Sequence, residues 1–219
     1  MMAMSNFSPM VLTLAALLIG HAFTPALCMA SGVQKNTPWQ DPAQGQEAAR
    51  NSKELVGVTL HDLELIDQDG AHVKFRSDII GDRVAVVIPF YTTCTTSYPI
   101  LIFMFTRLQE MLGEQLGRDV VLVSVSVDPK TDIPVRLKAF SRRQKAKPGW
   151  VFLSGDRYNL GQVLLGVGVL FSPNIDDHNH IPITLVGRAE SDWRRFHGFP
   201  SPEQIMAEIS KSLSGRKET

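Results

Sequence analysis

Val84-Ala-Val-Val-Ile-Pro-Phe-Tyr-Thr-Thr-Cys-Thr-Thr-Ser-Tyr-Pro99 is the stretch around which the chain is organised. Its apolar, largely β-branched run ends at Phe90, a polar loop carries Cys94, and Pro99 opens an amphipathic segment. The pattern predicts a buried strand, a loop and a helix start, because both faces of the strand are apolar and proline is tolerated in a first helical turn. A thiol placed there lies near the unpaired N–H groups and positive dipole end of the helix, which favour thiolate. Thiolate binds soft metals or attacks disulfides.

Downstream, Leu101, Phe105, Leu108, Leu112 and Leu116 form a core stripe, which predicts a helix over Pro99–Leu116 with Gly117 past its end. Asp119–Val127 reads as a second continuous strand, followed by Asp128-Pro129. Thr131 or Asp132 is expected to cap a helix that has Pro134 in its first turn and runs to about Lys145. Trp150–Leu153 reads as a short strand, and a helix follows Gly155-Asp156 through Leu165. Gly166 to Phe171 reads as buried turn and strand. Ile181–Val186 and Trp193–Phe199 form a terminal hairpin, and Ser201-Pro-Glu-Gln204 is a capping box that starts a helix burying Ile205, Ile209 and Leu213.

Upstream, imperfect alternation around Leu60–Ile66, the turn residues Asp67–Gly70 and Val73-Lys-Phe75 predict a β-hairpin. Ser31–Lys53 is polar, without apolar periodicity, and reads as a flexible tether. Val11–Gly20 is an apolar core with small residues up to Ala30. Residues 1–30 are therefore expected to be a secretory signal peptide cut near Ala30–Ser31, with an uncleaved anchor as the alternative. The apolar stretch is short against the roughly 20 residues of a membrane span. Cys28 invites a lipoprotein reading, but Pro25 stands where a lipobox has leucine. The expected compartment is the periplasm, with a possible tether to the inner membrane. There Cys94 is the one working thiol, and an internal structural disulfide is excluded.

The chain has 219 residues, 44% of them hydrophobic, with 22 basic and 22 acidic side chains. That suits one globular domain, placed at residues 55–214 with a short tail at 215–219, and gives no charge argument for nucleic acid. The element order predicts an α/β, thioredoxin-like fold: a mixed central sheet flanked by helices, with an N-terminal β-hairpin.

Four segments, Phe90-Tyr-Thr-Thr-Cys94 leading to Pro99, Ser124-Val-Ser-Val-Asp-Pro129, Phe152-Leu-Ser-Gly-Asp156 and His180 before the last hairpin, resemble the Sco/SenC family in order and spacing. The resemblance covers roughly residues 55–213. It implies an exported thioredoxin-fold protein associated with copper, Cu(I) or Cu(II), and with cytochrome oxidase assembly or thiol redox work. The implied partner is a respiratory oxidase subunit or another periplasmic copper or thiol protein. The family pattern at the loop is cysteine, three residues, cysteine, proline. Here Tyr98 occupies the second cysteine position. An intramolecular disulfide is then ruled out, and copper loses one soft ligand, for which a phenol of unperturbed pKa about 10 is a poor substitute.

The resemblance implies Cys94 and His180 as the metal or redox pair, with His178 the rival two residues earlier in Asp176-Asp-His-Asn-His180. Cys94 is the group that acts if the chemistry is redox. Around them stand Tyr98, either a lid over Cys94 or a solvent-facing phenol; Asp128, orienting the site or serving a turn; and Pro182, resembling the cis-proline that faces the cysteine in this fold or simply opening a strand. Arg136, Lys138, Arg142, Arg143, Lys145 and Lys147 read as a solvated basic face, with a docking surface for an acidic partner as the alternative. Met104, Met111 and Met206, all within helices, offer little for copper.

Overall fold

The structure is a computed structural model, and it describes residues 52–95, 98–169, 182–189 and 192–215. All of these fall in one compact unit. The expected signal segment, nearly all of the tether, Cys28, Asp176, Asp177, His178 and His180 lie outside the described residues.

Strands β4 (Val84–Phe90) and β5 (Val120–Ser126) form the centre, every residue buried, in parallel register from Val84↔Val120 to Phe90↔Ser126. A strand buried on both faces needs apolar side chains at both parities. Val84, Val86, Ile88 and Phe90 feed one core layer, and Ala85 and Val87 the other. β6 (Trp150–Ser154) runs parallel to β5. Beyond it lies the expected hairpin of β2 (Glu64–Asp67) and β3 (His72–Lys74). On the other side, β7 (Ile183–Gly187) is antiparallel to β4 and is followed by β8 (Trp193–His197). The eight strands order as β1-β8-β7-β4-β5-β6-β2-β3.

Strand β1 (Lys53–Val56) takes residues read as the end of the tether into the sheet, antiparallel to β8. Its Lys53, Glu54 and Leu55 are exposed, so backbone pairing rather than burial holds it. Phe75, expected in the hairpin, instead starts a wide helical turn over Phe75–Ile80. The Asp62 carboxylate accepts the Arg76 and Ser77 N–H groups there at 3.1 and 2.8 Å.

Among the described residues four α-helices cover the sheet: α1 (Tyr98–Leu112), α2 (Pro134–Arg143) and α4 (Pro202–Ser214) on one layer, and α3 (Arg157–Gly166) with the Phe75–Ile80 turn on the other. The stripe Leu101, Phe105, Leu108 and Leu112 is buried as expected. The helix stops at Leu112 and does not reach Leu116. Gly113 takes a φ of 51°, which breaks the α-helix into one tighter turn over Gly113–Gln115. The Ser201–Gln204 capping box forms, with Ser201 N–H donating to Gln204 Oε1 at 2.8 Å and Gln204 N–H to Ser201 Oγ at 3.3 Å.

The start of α2 departs from expectation. Ile133 is its N-cap residue and supplies no side-chain cap. Neither Thr131 nor Asp132 caps the helix, because the Asp132 carboxylate turns inward to other donors.

Candidate functional site

β4 and β5 run parallel and end together, joined at the rim by the Val127 N–H donating to the Phe90 carbonyl at 2.9 Å. β7 is antiparallel to β4, so its first residues lie at this same sheet end. Ligand sites of open α/β sheets form beyond the carboxyl ends of such strands, where no further pairing closes the edge. The Cys94 loop, the Asp128–Ile133 turn and the entry to β7 all lie at this sheet end.

Cys94 is a half-buried thiol that forms no disulfide among the described residues. Its N–H donates to the Tyr91 carbonyl at 3.3 Å, a tight turn that carries the chain from strand toward helix. The side chain packs against the core cluster that holds Phe90, Leu101 and Tyr98. Tyr98 is 7% exposed, so the solvent-facing alternative does not hold. Its ring meets that of Tyr91 edge-on.

Both phenols resist ionisation. Burial, then the hydrogen bond and charge of Cys94, and then the Asp128 charge push Tyr91 up to about 12. Burial raises Tyr98 as well, followed by the charges of Cys94 and Tyr91. At neutral pH both rings are therefore neutral phenols, not anionic ligands, and Tyr91 is the one hydrogen-bonded to Cys94.

Asp128 is buried and builds the turn after β5. Its carbonyl accepts the Thr131 and Asp132 N–H groups at 3.1 and 2.9 Å, and its own N–H donates to Ser126 Oγ at 3.0 Å. Asp132, fully buried, was expected only as a helix cap. Its carboxylate accepts the Thr92 N–H at 3.2 Å on each oxygen, the Thr92 hydroxyl at 2.5 Å and the Ser126 hydroxyl at 2.7 Å. Burial is the main cause that raises its pKa, opposed by these Thr92 and Ser126 bonds. One sequence signal points toward it: Ser126 ends a strand that is apolar but for Ser124, and a buried hydroxyl requires a partner.

Pro182 stands just before β7, and its carbonyl accepts the Gly198 N–H at 2.7 Å. His178 and His180 fall in the segment that precedes it. Met104 is buried, Met206 packs on the same core, and Met111 is exposed on α1. On the basic helix, Lys138 pairs with Asp69 and the Arg143 guanidinium lies 5.5 Å from the Phe140 ring centroid. Among the described residues no group of three or more His, Cys, Asp or Glu side chains could hold a metal ion. The donor set there is one soft thiol, two neutral phenols and the Asp128 carboxylate.

The SCO1/SenC family model matches residues 53–214. An SCO2-like protein of Rickettsia conorii is 27% identical over 153 residues, covering 66% of this chain and 72% of that protein. Among solved structures, BsSco, a member of the Sco family of cytochrome c oxidase assembly proteins in which a disulfide switch was identified, aligns with a TM-score of 0.61 at 22% identity. That alignment covers 74% of this chain and 98% of BsSco. Arabidopsis thaliana ScoI with copper bound aligns with a TM-score of 0.60 at 18% identity over 73% and 99% of the two chains. These structural likenesses establish the thioredoxin-like fold. With the family match spanning the whole described domain from β1 to the end of α4, the chain belongs to the SCO1/SenC family.

Proposed function

We propose that this protein handles copper as cargo at Cys94, with a second ligand from the Asp176–His180 segment, His180 before His178. The carrying observation is the placement of the Cys94 thiol at the end of the parallel strands, on the rim where β7 begins three residues after His180 in the sequence. Thiolate and imidazole suit Cu(I), which tolerates low coordination. In the family pattern a second thiolate shares this work. Here Tyr98 holds that position as a neutral phenol, so the site offers a single sulfur.

By likeness to BsSco, described as belonging to a family of oxidase assembly proteins, the client is a respiratory oxidase subunit or another exported copper or thiol protein. The place of action is the periplasm, reached through the signal segment read at residues 1–30. No helix among the described residues is long and apolar enough to cross a membrane. Anaerobic titration with Cu(I) under reducing conditions is expected to give about one equivalent per chain, abolished in Cys94→Ala and weakened in His180→Ala. No uptake by the wild type refutes the reading.

A second reading has its own observation: the thiol has no resolving cysteine four residues on, and the Tyr91 phenol donates to its sulfur. Cys94 thiolate would then attack a partner disulfide, forming a mixed disulfide and releasing the partner's other sulfur as thiolate. Trapping a Cys94-linked partner supports this reading. A Cys94 pKa at the ordinary thiol value counts against it.

A further inference from the structure

We propose that Asp132 is the positioning residue of the Cys94 site, its buried carboxylate tying the thiol loop to the end of β5. The inference rests on Cys94 being the working thiol. It does not depend on copper.

A carboxylate taken out of water costs several kcal/mol unless its lone pairs are filled. Asp132 is fully buried and stands one residue before the N-cap of α2, yet it gives that helix no cap. Its lone pairs go to two other segments. Thr92 supplies both its backbone N–H and its hydroxyl from the Cys94 loop, and Ser126 supplies a hydroxyl from the last position of β5.

Bonds to an ionised acceptor are about twice as strong as neutral ones. Thr92 is two residues before Cys94, whose own N–H donates to the Tyr91 carbonyl at 3.3 Å. The restraint that passes through Asp132 is therefore a charge-assisted one, made at two atoms of Thr92. The same carboxylate holds Ser126, which in turn accepts the Asp128 N–H. One group thus sets the spacing between the thiol loop and the turn that carries Asp128.

Alkylation of the full-length protein by iodoacetamide, without metal and read on the Cys94 peptide by mass spectrometry, separates Cys94 from Cys28. Asp132→Asn and Thr92→Val are each expected to raise the rate at Cys94 by about fivefold or more, and the double variant no further. Low, non-denaturing urea should leave the increase unchanged, the mark of local opening as opposed to global unfolding. A purely structural Asp132 gives an increase that grows with urea along the global unfolding slope. That outcome, or a rate within about twofold of wild type in folded protein, overturns the proposal. Should Asp132→Asn fail to fold, Thr92→Val carries the same two outcomes. A failed copper titration alongside increased alkylation would refute the copper reading and leave this inference standing.

Discussion

The Tyr98 ring meets the Tyr91 ring edge-on, with centroids 5.3 Å apart and planes at 77°, and the Cys94 charge acts on both phenols. Each phenol holds its proton more tightly in the folded chain than in the unfolded one, where its pKa is about 10. Above that value the unfolded state loses protons that the folded state keeps, so unfolding becomes easier as pH rises. The contribution is complete below about pH 10 and drains away as pH climbs through the folded values, about 12 for Tyr91. The urea midpoint should therefore decline from about pH 10 upward, and less steeply in Tyr98→Phe. Identical slopes for wild type and variant would contradict the buried phenol.

Tyr98→Cys puts a thiol at the first residue of α1, four positions after Cys94. Under mild oxidation the variant is expected to form a disulfide joining Cys94 to the new thiol, seen as a cross-linked peptide. Under anaerobic reducing conditions it should bind Cu(I) more tightly than the wild type, since a second thiolate replaces a neutral phenol. Loss of a 7% exposed aromatic side chain costs on the order of 2–4 kcal/mol, so the melting temperature should fall even as binding improves. A variant with neither the disulfide nor tighter copper binding would show that the loop does not present the two positions to one another.

Gly187 closes β7 against Trp193, the fully buried first residue of β8. A Cβ at Gly187 would stand 2.4 Å from the indole Cγ and Cδ2, where no relaxed contact occurs. The indole is pinned by its N–H donating to the Arg188 carbonyl at 2.8 Å, so it does not swing aside freely. Gly187→Ala is expected to destabilise by about 1–3 kcal/mol in urea unfolding, as overpacking does. An unchanged midpoint would mean that the ring has room to move.

What was legible in the sequence follows from how each element is held. β4 and β5 announce themselves because burial on both faces demands unbroken apolar runs, and the α1 stripe because one helix face is core. The Ser201–Gln204 box is local chemistry and reads directly. β1 carries no such mark: three of its four residues are exposed and its place comes from pairing with β8, more than a hundred residues away. The early stop of α1 at Gly113 hides inside a stripe that continues in spacing to Leu116. At the site, Cys94 and Tyr98 stand out by type and position. Asp132 does not, because an aspartate before Ile-Pro reads as a cap, and only the three-dimensional approach of Thr92 and Ser126 reveals its other use.

Gln109 shows the same kind of long-range tie on the basic side of the molecule. Buried on α1, its amide accepts the Lys147 N–H at 3.0 Å and donates to the Lys145 carbonyl at 3.2 Å, where Lys145 sits at a φ of 51°. One side chain thereby holds the exit of α2 in a backbone conformation that lysine does not prefer. Gln109→Leu keeps the volume and removes both bonds, leaving a backbone donor and acceptor to find water. The expected cost is about 1–3 kcal/mol in urea unfolding. Trypsin should also cut faster after Lys145 under native conditions, because the released segment fits a protease more readily than a pinned turn. If cleavage there is no faster while stability falls, Gln109 supports the core but does not hold the loop, and the tie assigned to its amide is wrong.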